Sequence, residues 1–227
     1  MDLIHFEWSR CMDGYDLYTS QPRRWVPHSA MPRKKAATAS RTKSFTSTVG
    51  IRAKSGRFER YRPLAVDSTL FQRFADLPGT PKGMLQFAHV FGLPGGNGAT
   101  VRSGNVISTA IASVIAEHES LRNALRLHQR GDNHELLRQL NARECRVTNL
   151  VWSDSSGHLD YHLEPSNLID AIWLQLGLHA MSGATILKCL RCGQPIRVGP
   201  GTRRRNTAKY CSNACKVAAF KARQKGG

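Results

Sequence analysis

Four cysteines near the carboxyl end of the chain stand in two close pairs. The pairs are Cys189 with Cys192 and Cys211 with Cys215. Two residues between cysteines let one tight turn present both sulfurs to a single ion, and Gly193 supplies permissive backbone directly after the turn. Ser212 is a helix N-cap residue type, so we expect Cys215 in the first helical turn and Cys211 just before it. The pattern predicts one structural Zn²⁺ held by four thiolates, with no open coordination position.

The redox compartment favours metal over disulfides. The chain starts MDLIHFEWSR, with acidic residues where a signal peptide carries basic ones, and no stretch reaches the roughly 20 apolar residues of a membrane helix. We therefore expect a cytoplasmic protein that does not bind membranes. Cytosolic thiols stay reduced, so the cysteine pairs are better suited to an ion than to each other. Cys11 and Cys145 stand alone and are expected to be ordinary core or surface residues.

The cysteine pattern resembles a known class of zinc module. Cys189-Leu-Arg-Cys-Gly193, followed by Tyr210-Cys-Ser-Asn-Ala-Cys215 and a basic segment, is similar to treble-clef zinc knuckles of the YCSxxC kind. With a helical region before it, the tail resembles the bacterial CGNR zinc-finger proteins with an ABATE-like domain, whose name motif is replaced here by Cys215-Lys-Val-Ala. The resemblance implies a treble-clef fold and a role in transcription regulation.

Positive charge is concentrated in two segments of the chain. The net formal charge of the 227 residues is +17. Residues 1–20 carry −3, residues 21–62 carry +11, residues 63–170 carry −2 and residues 171–227 carry +11. A nearly neutral centre between two cationic segments suits a polyanionic partner, although the same charges could serve only to keep the chain soluble.

The basic residues around the cysteines are candidates for phosphate contacts. Arginine can form paired hydrogen bonds to a phosphate or to guanine, so we expect nucleic acid as the partner, and DNA rather than RNA. Few polar base-reading residues accompany these cations, so the sequence predicts no target. The candidate nucleic-acid-binding residues are Arg197, Arg203, Arg204, Arg205, Lys209, Lys216, Lys221, Arg223 and Lys225. Lys216 and Arg223 share a face of the predicted helix, and Val217 and Phe220 form a neighbouring apolar stripe expected to pack on the zinc module.

Two other classes of function are open to this chain. In the first, the zinc module is a protein-binding adaptor, and the helical domain holds a protein partner through Trp152, Trp173 or an apolar helix stripe. In the second, the chain is an enzyme. His118-Glu119 has Arg122 at the fourth position, where a metalloprotease helix needs histidine, and the glycine-rich stretch 92–98 has no Gly-Lys-Ser/Thr after it. We identify no catalytic residues and predict a protein that is not an enzyme.

Apolar periodicity predicts a helical body. Helices are expected over 64–77, from Thr80-Pro81 to Gly92, from Ile107 to Gly131, from Asp132 through Leu140, and from a Ser166 cap to Gly183. Alternating residues predict two β-hairpins, one turning at Asp13-Gly14 and one at 154–157. Residues 29–48 are predicted to be a flexible basic arm.

The predicted fold class is mainly α, of the α+β kind: a helical body with two small hairpins, followed by a C-terminal treble-clef zinc knuckle. The predicted divisions are 1–62 for the N-terminal hairpin and arm, 63–183 for the helical domain and 184–227 for the zinc module.

Overall fold

The computed structural model describes residues 4, 6–20, 48–96, 99–143, 145–153, 159–202 and 204–225. Nearly all of the predicted basic arm and the turn at 154–157 lie outside the described residues. Among the residues described, no helix is both long enough and apolar enough to cross a lipid bilayer.

Helices and small antiparallel sheets alternate along the described chain. The helices are α1 (Pro63–Val66), α2 (Leu70–Asp76), α3 (Pro81–Phe91), α4 (Ile111–Arg130), α5 (Asn133–Ala142), α6 (Leu168–Met181) and α7 (Asn213–Lys225). The strands are β1 (Trp8–Cys11), β2 (Tyr15–Ser20), β3 (Thr48–Ala53), β4 (Phe58–Tyr61), β5 (Ala99–Arg102), β6 (Asn105–Ala110), β7 (Val147–Ser153), β8 (Leu159–Pro165), β9 (Thr185–Lys188) and β10 (Pro195–Val198). The α+β character predicted from the sequence is confirmed.

The predicted first hairpin was wrong in its pairing. Residues 12–14 do turn the chain, but β1 pairs with β4, and β2 pairs with β3 in a sheet of order β2-β3-β6-β5. The Tyr15 hydroxyl accepts a hydrogen bond from the Cys11 backbone N–H at 2.7 Å, and Tyr15 itself is buried. The apolar alternation did not identify the buried side of either strand, since Ser9 and Cys11 are the buried residues of β1 and Leu17 of β2 is exposed. It also carried no information about which strand lies beside another.

The pairing of β2 with β3 extends to the last residue of β2. Ser20 lies opposite Thr48, and the Ser20 hydroxyl donates to the Thr48 carbonyl at 3.1 Å. The pairing therefore holds Ser20 and Thr48, the described residues on either side of the span 21–47, at adjacent positions in the sheet.

The longest helix begins later than predicted. Ile107, which fits the helical period, lies in β6, and α4 starts at Ile111. β5 and β6 form a hairpin that turns at Ser103 and Gly104, both with positive φ. One apolar residue at helical spacing cannot distinguish a helix from a strand that leads into it.

Two helix starts in the body have the capping residues that the sequence predicts. The Thr80 side chain accepts from the Gly83 N–H, and the Asp132 side chain accepts from the Glu135 N–H. α6 is capped by Asn167 and not by Ser166. The single helix predicted over 64–77 is two helices, because the Asp67 carboxylate accepts from both the backbone N–H and the hydroxyl of Thr69 and turns the chain between α1 and α2.

One hydrophobic core joins the strands β1–β6 to helices α2–α6. Its fully buried residues include Phe71, Phe74, Leu121 and Leu176. His118 lies among them, with its Nε2 atom 3.0 Å from the Leu77 carbonyl. We refer to β1–β8 with α1–α6 as the body.

The remaining elements, β9, β10 and α7 with their connecting loops, form the part that we call the cysteine module. Its own buried cluster is Cys189, Ile196 and Val198 among the described residues. The module meets the body where Ile186 packs against the large core and where the Arg197 guanidinium donates to the Ser182 hydroxyl at 2.7 Å. The division between residues 183 and 184 stays a prediction.

Candidate metal centre

Two turns bring the four cysteines together. Cys189 directly follows β9, and Cys192 lies in the turn between β9 and β10. Cys211 precedes α7, and Cys215 lies in its first turn, where its N–H donates to the Ser212 hydroxyl at 3.2 Å. The predicted role of Ser212 at the helix start thus agrees with the observed hydrogen bond.

The four sulfurs are spaced as ligands of one ion. The Cys211 Sγ lies 3.5 Å from the Cys192 Sγ and 3.4 Å from the Cys215 Sγ. All four Sγ atoms lie within 4.8 Å of one another. At a metal–sulfur distance of about 2.3 Å, the sulfurs of a regular tetrahedron stand about 3.8 Å apart. The cluster therefore fits a small tetrahedral metal ion.

Backbone hydrogen bonds hold the cluster in shape. The Cys211 N–H donates to the Cys189 Sγ at 3.3 Å, which links the two pairs directly. The Gly193 N–H donates to the Cys189 carbonyl at 2.9 Å, and Gly193 has a φ of +71°. A residue with a Cβ is strained at that φ, so the turn that presents Cys189 and Cys192 favours glycine at this position.

The pKa values of two cysteines in the cluster are shifted in opposite directions. Burial and the adjacent thiols raise the pKa of Cys211 to about 12. Burial also opposes ionisation of Cys189, but the N–H groups of Cys192, Arg191 and Cys211 outweigh it and lower the pKa of that thiol to about 6. Thiols this close cannot all ionise without a cation between them. A divalent ion removes the repulsion and displaces the remaining protons.

Two of the predicted phosphate-binding arginines hold the module together. The Arg204 guanidinium donates to the carbonyls of Tyr210 and Cys211, at 3.4 Å and 2.6 Å. Arg197 is half-buried against Ser182, and burial lowers its pKa. Both side chains contact the protein, so their positions favour a structural contribution.

The other predicted cations lie on the surface of the module. The exposed members of the set are Arg205, Lys209, Lys216, Lys221 and Arg223. Arg203 lies outside the described residues. Lys225 is the last residue of α7, and its side chain is not among those that the structure describes. No acidic residue follows Asp170 in the sequence.

Sequence reasoning omitted two cations of this surface. Lys188 and Arg191 are both exposed and stand beside Cys189. Their position next to the first cysteine pair could have identified them as part of this surface, because a tight turn brings neighbouring residues close together.

The apolar stripe predicted on α7 was wrong in its placement. Val217 and Phe220 are 44% and 54% exposed, and Leu190 in the turn after β9 is 71% exposed. The module thus presents apolar side chains among its cations. The reason is its small size, since one short hairpin offers little surface to cover a helix.

The other two cysteines take no part in the cluster. Cys11 is buried in the large core, and its Sγ lies near Ser55. Burial raises the pKa of the half-buried Cys145 to about 11, so this thiol stays protonated at neutral pH and lacks the thiolate of a reactive cysteine.

Comparison with known proteins identifies no family for this chain. A scan against protein-family models finds no match, and a search of curated proteins finds none either. The geometry of the cysteine cluster and the charges around it are therefore the basis for assigning a function.

Proposed function

We propose that the four cysteines bind one structural Zn²⁺ and that the cysteine module is a treble clef. Zinc accepts four thiolates in a tetrahedron without a redox reaction, which suits a site of sulfurs alone. The order of a cysteine turn at the tip of a β-hairpin and a second pair at the start of a helix supports the treble-clef assignment. Four protein ligands leave no open position, so this metal stabilises the module and performs no catalysis.

We further propose that the chain is a cytoplasmic nucleic-acid-binding protein that regulates transcription, with DNA rather than RNA as its partner. The observation that carries the proposal is the surface of the cysteine module, which presents exposed lysine and arginine side chains in a stretch of chain without acidic residues. Such a surface releases condensed counterions when it meets phosphates, and this release supplies most of the binding free energy.

The surface has a definite centre. A groove of about 580 Å³ lies at the start of α7, and Arg205, Lys209 and Lys216 all line it. Asn213, the first residue of α7, lies in the same groove. The positive end of the helix dipole adds to these charges, so the groove favours a phosphate.

The test is a salt titration with a matched charge control. The triple variant Arg205→Gln, Lys209→Gln, Lys216→Gln removes three charges from the groove. The control triple Arg122→Gln, Arg126→Gln, Arg130→Gln removes three exposed charges from α4. Affinity for duplex DNA is measured by fluorescence anisotropy over a range of salt, with competitor polyanion present.

Nucleic-acid binding at the groove predicts a smaller salt dependence for the first triple alone. With a logarithmic slope of about −0.9 per phosphate contact, the slope should flatten by roughly two to three units. Equal changes in both triples would show that only total charge matters and would contradict the proposal. Parallel titrations with single-stranded DNA and RNA test the preference for duplex DNA.

The second candidate function is a protein adaptor, and the exposed apolar residues of the module favour it. Leu190, Val217 and Phe220 are the kind of anchors that protein interfaces bury. The two functions differ in which substitutions matter. An adaptor loses its partner on Phe220→Ala and keeps it in the triple groove variant, whereas a DNA-binding module shows the reverse.

A further inference from the structure

A polar cleft of about 490 Å³ lies in the body, outside the cysteine module. It opens where β1, the β5–β6 hairpin, α4, the end of α5 and the start of α6 meet. We call it the α6 cleft, and its most informative lining residues are Trp8, Val101, Val106, Glu117, Arg146 and Asp170. Pockets of this size hold small molecules of the size of metabolites.

Glu117 and Arg143 form an ion pair in the lining of the cleft. The Arg143 guanidinium donates to the Glu117 Oε2 atom at 2.5 Å, and the Trp173 indole N–H donates to the same oxygen at 3.2 Å. Arg143 also lies over the Trp173 ring, 4.6 Å from its centre. This pair is neutral as a unit and is fixed in place without a ligand.

Asp170 is the second carboxylate in the lining of the cleft, and it is not part of the Glu117–Arg143 pair. It is 4% exposed, and its Oδ2 atom accepts from the Asn167 side-chain amide at 2.6 Å. Burial raises the pKa of this carboxyl, although Arg143 and the backbone N–H of Arg146 oppose the rise. A carboxylate has about four acceptor positions, so the hydrogen bond from Asn167 leaves room for another donor. Asp170 therefore favours a cationic donor as its next partner.

Arg146 provides the opposite charge at the mouth of the cleft. Its side chain is exposed and lines the opening. The cleft thus presents one buried carboxylate and one exposed guanidinium. The two carboxylates and the two guanidinium groups in the lining sum to zero charge.

Part of the cleft lining is apolar. Trp8 lines it, and its indole N–H donates to the Leu93 carbonyl at 3.0 Å, which fixes the orientation of the ring. Val101 and Val106 stand on the β5–β6 hairpin. The glycine-rich loop is tied to α6 because the Ile169 N–H donates to the Pro94 carbonyl at 3.1 Å. A Cβ on Gly95 would come within 2.9 Å of the Asn167 Cβ, so this close approach requires glycine.

We propose that the α6 cleft binds a free α-amino acid with an apolar side chain. The ammonium group bonds to Asp170, the carboxylate bonds to Arg146, and the side chain lies against Trp8, Val101 and Val106. A dicarboxylate or a polyphosphate meets repulsion from Asp170 and Glu117, and a diamine meets Arg143 and Arg146. A dipolar ligand without net charge bonds to Asp170 and Arg146 at once.

The first experiment is isothermal titration of the full chain with L-phenylalanine and L-leucine. The same titrations use N-acetyl-L-phenylalanine, which lacks the ammonium group, and L-phenylalaninamide, which lacks the carboxylate. Each lost charged contact should weaken binding at least about tenfold relative to L-phenylalanine. Absence of binding by both amino acids at millimolar concentration, or equal binding of the two blocked derivatives and the parent amino acid, would overturn the proposal.

Two variants assign the contacts. Arg146→Gln, at an exposed position, should weaken L-phenylalanine about tenfold and should not weaken L-phenylalaninamide, which has no carboxylate for that guanidinium. The matched control Arg126→Gln removes an exposed charge from α4 and should change neither affinity. A loss of equal size for the acid and the amide would refute the placement of Arg146.

Asp170→Asn should weaken L-phenylalanine and spare N-acetyl-L-phenylalanine. Asp170 also bonds to the Asn167 cap, so this variant is accompanied by a circular dichroism melt, and the Arg146 result stands if the variant fails to fold. None of these titrations involves the cysteine module, so failure here leaves the proposed function intact.

Discussion

The body and the cysteine module bury apolar surface on different scales. The body packs whole aromatic side chains such as Phe71, Phe74 and Phe87 in its interior, whereas the described part of the module buries Cys189, Ile196 and Val198. Full burial of a large apolar side chain contributes about 1.5–3 kcal/mol, and ordering each residue costs about 1–2 kcal/mol. Burial alone thus explains the order of the body but not that of the module, and the difference supports the proposed structural ion.

Metal removal should separate the two regions most strongly. Structural zinc contributes about 10–16 kcal/mol to modules of this size, so chelation under reducing conditions should unfold residues 185–225 and leave the body folded. Amide NMR spectra before and after chelation measure this directly. Elemental analysis should find about one zinc per chain.

Two serine variants control that experiment. Cys211→Ser should lose the metal, and Cys145→Ser should retain it, because only the first removes a ligand of the cluster. Collapse of the body spectrum on chelation would show that the two regions are a single cooperative unit.

Two phenylalanine variants, one in each region, should differ in their effect on stability, with the larger loss in the body. Phe74 is fully buried, with its ring 4.8 Å from that of Phe87, and Phe74→Ala should lower the free energy of unfolding of the body by about 3–5 kcal/mol. Phe220 is exposed on α7, and Phe220→Ala should change the free energy of unfolding of the body by no more than about 0.5 kcal/mol. Urea unfolding followed by circular dichroism provides both numbers, and a similar loss in the two variants would mean that Phe220 is buried in solution.

The joint between the regions should respond to pH. His179 is buried, and burial, with the charges of Arg197 and His128, lowers its pKa from 6.5 to about 4. Between these pH values the unfolded chain holds a proton on His179 that the folded chain does not. Stability from this group is complete above about pH 6.5 and falls by about 2–3 kcal/mol by pH 4.5.

The comparison for that effect is His179→Leu. Zinc loss at low pH is common to both proteins, so the difference in their unfolding free energies between pH 7 and pH 4.5 isolates the histidine. Unchanged pH dependence in the variant would show that His179 is not buried in its neutral form.

The smallest expected effects come from two glycines and differ in sign. Gly193 has a positive φ in the cysteine turn, so Gly193→Ala should cost about 1 kcal/mol and weaken metal affinity several-fold. Gly177 lies within α6, and a Cβ there meets no atom within 4 Å, so Gly177→Ala should stabilise the body by about 0.5–1 kcal/mol. Metal competition and urea unfolding are the two measurements, and stabilisation by both changes would refute the assignment of strain to Gly193.

Features set by neighbouring residues could be predicted from the sequence. The helices begun by Thr80 and Asp132 result from capping within one turn, and the β7–β8 hairpin results from alternation on either side of its turn. The approach of the four cysteines was predictable because each pair is short and a common ion explains both. Local rules suffice where the interaction partner is close in the chain.

Features set by distant contacts could not be predicted. The pairing of β1 with β4 and of β2 with β3 depends on which strands share an edge, and the apolar pattern is the same for every partner. Likewise Arg197 and Arg204 have the same residue type as the other cations, but they donate hydrogen bonds to Ser182, Tyr210 and Cys211 of the protein itself. The sequence shows which residues are cations, but it does not show which groups they bond to.

The hydrogen bond between Ser20 and Thr48 has a consequence for how this chain can vary. The two residues that flank the span 21–47, which contains seven lysine and arginine residues and no acidic ones, are held together by the sheet itself. The register is set by the residues of β2 and β3 themselves, which pair from Tyr15 with Ala53 to Ser20 with Thr48. We therefore expect insertions and deletions between positions 21 and 47 to leave this register unchanged, so the number of positive charges there can evolve independently of the core.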